Sequence, residues 1–141
     1  MQIGKDLVAA SATPLVLGIL SEGDSYGYAI IKRVGELSGG RMSWTDGMLY
    51  PLLHRLERLE LVEAYWGKSD SGRKRKYYRL TRKGSAALAT QRQQWEVVDA
   101  TLQEVWRDLT ATWIGELDGF LGGDGTCWSP HIQWATISIR R

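Results

Sequence analysis

Apolar residues fall at helical spacing from Thr13 onward, where Leu15, Ile19 and Leu20 share one face. Thr13 can cap such a helix, and Pro14 suits its first turn, where a missing N–H costs nothing. Glu22-Gly23-Asp24 predicts its end. Ser25 then predicts the cap of a second helix, in which Ile30, Val34 and Leu37 stand at i, i+4 and i+7 and Gly39-Gly40 provides the stop. A third helix is expected from Thr45 or Asp46 to about Glu60, with Leu49, Leu52, Leu53, Leu56 and Leu59 as one apolar stripe. Its opposite side carries Gly47, Tyr50, Pro51, His54 and Arg58, a face that is polar, aromatic and basic. Pro51 lies so near the start that it removes only about one backbone hydrogen bond.

After Leu61 the period shifts toward two. Val62, Ala64 and Trp66 take one face of a strand, and Tyr78 and Leu80 lie in its return partner. Between them, Gly67 to Gly72 is polar and turn-forming, which predicts a hairpin with a charged tip. Three helices followed by such a hairpin have the order of a winged helix-turn-helix. Thr81 or Ser85 can cap the next helix, the longest. Its seam of Leu88, Gln91, Trp95, Val98, Leu102, Val105 and Leu109 alternates spacings of three and four. A helix about 40 Å long, at ~1.5 Å per residue, is too long for a small head to cover. The seam therefore asks for the same helix in a second copy, or for packing against the first helix. Beyond Trp113 the glycines at 115, 119, 122, 123 and 125 break regularity. The expected organisation is a winged helix-turn-helix over residues 1–83, a dimerisation helix over 84–114, and a Gly-rich linker with a terminal segment over 115–141. The fold class is mainly α with a small β-hairpin.

Charge changes this picture more than composition does. The 141 residues are 43% hydrophobic, enough for one ordinary core, and the net charge is only +2. Yet the sixteen residues from Lys68 to Lys83 hold eight of the 18 basic side chains and one acid, Asp70, whereas Glu96 to Asp124 holds seven acids and one base, Arg107. Duplex DNA carries roughly one negative charge per 1.7 Å of axis, so a basic wing beside a helix would gain affinity by releasing counterions. A solvated charged face is the plainer reading of the same cluster.

Catalytic chemistry finds little support. Cys127 and His131 stand four apart in the irregular tail without the two further ligands a metal would need, and His54 has no ligand partner at metal spacing. Gly122-Gly123-Asp124-Gly125 follows no strand and reads as linker, not as a phosphate loop. No cofactor and no metal are expected. The longest apolar segments are too short to cross a bilayer, and the single cysteine forms no internal disulfide, so a cytoplasmic location is expected.

The wording of the chain resembles the PadR family of bacterial transcriptional regulators. The resemblance is carried by Tyr26-Gly27-Tyr28 opening the second helix, by Gly47-Met48-Leu49-Tyr50-Pro51-Leu52-Leu53-His54-Arg55-Leu56-Glu57-Arg58-Leu59, and by Gly72-Arg73-Lys74-Arg75-Lys76-Tyr77-Tyr78-Arg79-Leu80-Thr81-Arg82-Lys83-Gly84. It covers about residues 5 to 107. It implies a homodimeric repressor that grips an inverted repeat in double-stranded DNA, with the long C-terminal helix as dimer interface. Glu60 stands where the family usually has a glycine before the first strand, and residues 115–141 match no family pattern.

With that resemblance, the third helix is expected in the major groove. Tyr50 and His54 are placed for base or sugar contacts, and Ser43, Thr45, Arg55 and Arg58 for phosphates. Tyr50 can equally brace the helix against its neighbour. In the wing, Lys74 and Lys76 are expected on the DNA backbone, Arg73 or Arg75 in a narrow minor groove, and Tyr77 on a phosphate. Leu88, Trp95, Val98, Leu102, Val105 and Leu109 are expected in the dimer interface. Trp95 lies where some members that sense drugs keep a paired tryptophan, so a small aromatic effector is a further partner to test, against plain core packing. The alternative to this function is a winged-helix module that binds protein without specific DNA recognition.

Overall fold

The computed structural model describes residues 1–118, with side chains to Arg107. Helix α1 (Lys5–Glu22) begins well before Thr13 and carries Pro14 inside it. Leu7, Ala9 and Ala10 are good helix formers, and Val16, Leu17, Ile19 and Leu20 beyond the proline are all buried. Burying each such side chain is worth about 1.5–3 kcal/mol, which outweighs the roughly 3 kcal/mol cost of an interior proline. Thr13 is therefore not a cap.

Ser25 does not cap the second helix either. It belongs to a short strand β1 (Ser25–Tyr26), and Tyr26 precedes α2 (Gly27–Leu37). Helix α3 (Asp46–Arg58) follows, then β2 (Val62–Lys68), β3 (Lys74–Leu80) and α4 (Arg82–Asp118). The hairpin thus gains a third strand, in the order β1-β3-β2, all antiparallel. Ser25 faces Tyr78 and Tyr26 faces Tyr77, which covers the base of an edge that β3 would otherwise leave open.

The core joins α1, α2, α3 and the root of the sheet through Leu17, Ile30, Leu53, Leu56, Val62 and Tyr78. The α3 stripe is shorter than its sequence implies. Leu49, Leu53 and Leu56 are buried and Leu52 partly so, but the helix ends at Arg58 and leaves Leu59 at 46% exposure. At that end Leu61 N donates to Leu56 O (3.0 Å) and Glu60 N to Glu57 O (2.9 Å), a Schellman closure that sets Glu60 at φ 62°. A side chain there costs about 1–2 kcal/mol of left-handed backbone strain. Glu60→Gly should therefore stabilise the fold by about 0.5–1 kcal/mol after the added freedom of the unfolded chain, read as a rise of a few degrees in the thermal midpoint. The Lys83–Glu60 pair it removes is exposed and 4.0 Å long, and such pairs contribute little.

Thr81 seats α4. Its Oγ1 donates to the Glu60 carbonyl (2.7 Å), lies 3.0 Å from the Leu61 carbonyl, and accepts from Gly84 N (2.9 Å). Helix α4 then runs through Gly115 to Asp118, because a single glycine costs a helix only about 1 kcal/mol. The chain divides into two compact units, one from Met1 to Gln94 and a second beginning at Trp95. Among the described residues, no helix is long and apolar enough to cross a membrane.

Candidate nucleic-acid interface

Helix α3 presents its leucines inward, so what remains outside is the face predicted for contact. Ser43 and Thr45 before it are exposed, as are Gly47, His54, Arg55 and Arg58 along it. Tyr50 is 39% exposed, and its ring also lies on Gly27: a Cβ at Gly27 would stand 2.6 Å from the Tyr50 hydroxyl. The side chain braces α2 against α3 and keeps one edge outward. Thr45 caps α3 through its backbone alone, its carbonyl accepting from Met48 N (3.1 Å) and Leu49 N (3.0 Å), so its hydroxyl makes no cap bond.

The wing has two faces with different tasks. Arg75, Tyr77 and Arg79 of β3 share the outer face with Tyr65 and Gly67 of β2. Tyr77 stacks on Tyr65 (5.6 Å, 15°) and meets Tyr26 edge-on (5.6 Å, 77°), while the Arg75 guanidinium sits 3.9 Å over the Tyr26 ring. Gly67 leaves room for Tyr77, since a Cβ there would stand 2.7 Å from its ring. The Tyr65 hydroxyl donates to Asp24 (2.6 Å), and that bond holds the phenol above its ordinary pKa. Arg75 and Tyr77, both expected on DNA, are thus engaged within the head and only partly exposed.

On the other face Tyr78 is buried, and desolvation pushes its phenol up. Lys76 lies 5.5 Å from the Tyr78 ring centroid and 3.5 Å from Glu57 of α3. This pair ties the wing to α3 and leaves Lys76 less charge to offer a phosphate than its position suggests. At the tip, Ser69 organises the turn: its backbone N donates to Arg73 O (2.9 Å), its carbonyl accepts from Gly72 N (2.9 Å), and Gly72 takes φ 81°. Lys68, Arg73 and Lys74 flank this turn, exposed and without ion pairs among the described residues.

Along α4, Leu88 is partly buried and packs against the core of the head, a use that its place in the seam did not reveal. Trp95 is partly buried, whereas Val98, Leu102 and Val105 are 46%, 40% and 59% exposed. The side chains of Leu109 and Trp113, and residues 119–141 with Cys127 and His131, lie outside the described residues. Among the described residues no group of three His, Cys, Asp or Glu is placed to hold a metal. Two large exposed aromatics escaped the sequence reading: Tyr28 in the first turn of α2 (70%) and Trp66 (68%). Strand alternation put Trp66 on the core face correctly; what it could not show is that the core ends before reaching it.

Comparison with known proteins places the chain. The profile of the Transcriptional regulator PadR-like family matches residues 16–90. "Uncharacterized protein X" of Lysinibacillus sphaericus is 30% identical over 105 residues, which span 72% of this chain and 96% of that one. The crystal structure of a PadR-like transcriptional regulator from Bacillus cereus superposes with a TM-score of 0.64 at 29% identity, over 72% of this chain and 96% of the other. "Transcriptional regulator YqjI" of Escherichia coli is 32% identical over 89 residues, 63% of this chain but 41% of its own.

Proposed function

Because this chain belongs to the PadR-like family of transcriptional regulators, which are not enzymes, we propose that it acts as a homodimeric repressor on an inverted repeat in double-stranded DNA. In this reading α3 enters the major groove with Tyr50 and His54 toward the bases, while Ser43, Thr45, Arg55 and Arg58 meet phosphates. Two copies joined through α4 would set two such helices about 34 Å apart, or a multiple of it, to match successive groove faces. A flat aromatic effector would act at Trp95, beside the exposed apolar face of Val98 and Leu102.

The observation that carries the reading is the exposed basic face of α3 joined, through the Lys76–Glu57 pair, to a wing whose tip holds Lys68, Arg73 and Lys74 uncompensated. A protein-binding module does not need that concentration of charge, whereas a polyanionic duplex does. The test is fluorescence anisotropy of labelled duplexes over a salt series. Each phosphate contact contributes about 0.9 to the slope of log K against log salt, so Arg73→Ala with Lys74→Ala should flatten that slope by about 1.8 on every sequence. An unchanged slope removes the wing from the interface. The same titration with a planar aromatic compound at micromolar concentration tests release, and unaltered affinity removes the effector. Footprinting upstream of the protein's own gene would locate the repeat.

A further inference from the structure

We infer that Trp66, framed by Lys68 and Lys74, is a contact to the sugar–phosphate backbone of the duplex: the indole carries a deoxyribose, and the lysines take the phosphates on either side. The inference rests on the DNA-binding reading above and adds to it a residue whose contribution is not electrostatic. In β2 and β3, Val62 faces Leu80, Ala64 faces Tyr78, Trp66 faces Lys76 and Lys68 faces Lys74. The first two pairs pack on the core; the last two continue the same face of the sheet beyond it. Lys76 reaches Glu57 from this face, so Trp66 lies on the side of the wing that looks toward α3.

Lone exposed hydrophobic residues are common on protein surfaces. Trp66 differs in two ways. It leaves 68% of the largest side chain outside, and toward the tip its neighbours on that face are Lys68 and Lys74, unpaired among the described residues, while Lys76 opposite it is paired with Glu57. The complement of such a patch is flat and apolar at the centre and anionic at the rim, which describes a deoxyribose between its phosphates. A second copy of the wing would bring like charges together, and an acidic peptide supplies the rim without the centre. Aromatic side chains laid against nucleic acid add affinity without reading sequence or releasing counterions, so Trp66 and its lysines are separable by salt.

The experiment uses the full chain with operator and unrelated duplexes from 50 to 300 mM salt. Trp66→Ala should weaken binding to both about tenfold with the salt slope unchanged, Trp66→Phe should recover to within about threefold, and Lys68→Ala should flatten the slope by about 0.9. The thermal midpoint of Trp66→Ala should stay near that of the parent, since the indole is mostly outside the core. Equal affinity of parent and Trp66→Ala overturns the inference, as does a loss confined to the operator or accompanied by a flatter slope. If the parent chain binds no duplex under any of these conditions, the DNA-binding reading itself fails; if it binds and Trp66→Ala binds equally, only the role of Trp66 is lost.

Discussion

Gly84→Ala is expected to destabilise the protein by about 3 kcal/mol, which for a head of this size lowers the thermal midpoint by about 12–24 °C. A Cβ at Gly84 would stand 2.0 Å from the Leu61 carbonyl oxygen, 3.0 Å from its carbon and 2.8 Å from Leu80 Cδ1. Leu80 can turn aside. The carbonyl cannot, because it accepts from Thr81 N (3.1 Å) and stands 3.0 Å from Thr81 Oγ1, and that same threonine caps α4 through Gly84 N. Relief of the clash therefore has to lift the first turn of α4 off the start of β2, giving up the cap and the packing of Leu80 and Leu88 together. Gly35→Ala is the control: its Cβ meets nothing within 4 Å in the last turn of α2, so the change should be neutral or stabilising by up to about 1 kcal/mol. Matching midpoints for the two variants would show that α4 is not seated as described.

The second large effect concerns the other unit. Val98→Asp with Leu102→Asp should convert a dimer to a monomer in sedimentation and weaken operator binding by 100-fold or more, while the circular dichroism of the head persists. Val98, Leu102 and Val105 lie at i, i+4 and i+7 of α4 and are exposed in a single chain. A helix with an unpartnered apolar stripe buries it on assembly, and two carboxylates set into that stripe would face their own copies across a two-fold axis. The loss in affinity follows from geometry: linked half-sites gain about 10²–10⁴ in avidity over single ones, and a monomer forfeits that gain without losing any contact. A variant that remains dimeric and binds normally would move the interface elsewhere.

Much of the fold was legible in the sequence because the leucine period of α3 and the alternation of β2 and β3 each agree with a single element. The failures share a cause: residues whose state is decided by something distant. Thr13-Pro14 has the form of a helix start, but the burial of Val16 to Leu20 holds the helix across the proline. Ser25 resembles a cap until β3, some fifty positions away, offers an edge to Ser25 and Tyr26. Leu88 fits the heptad seam and, partly buried, also packs against the core of the head. In the candidate site the residue types were legible and their availability was not. Lys76 and Arg75 read as two free cations, yet Glu57 takes one and the Tyr26 ring the other. For Trp66 periodicity gave the face, shared with Val62 and Ala64, but not its exposure, because alternation does not report how far the core extends beneath a strand.

The ring ladder on the outer face of the wing bears on how the proposed DNA targets would be chosen. Tyr26, Tyr77 and Tyr65 are stacked edge and face, clasped by Arg75 and tied to Asp24, contacts that brace the hairpin against β1 and the turn before it. If the wing enters a groove as proposed, a hairpin braced in this way would surrender little disorder on docking, and a groove of the wrong width would meet a missed grip instead of an accommodating bend.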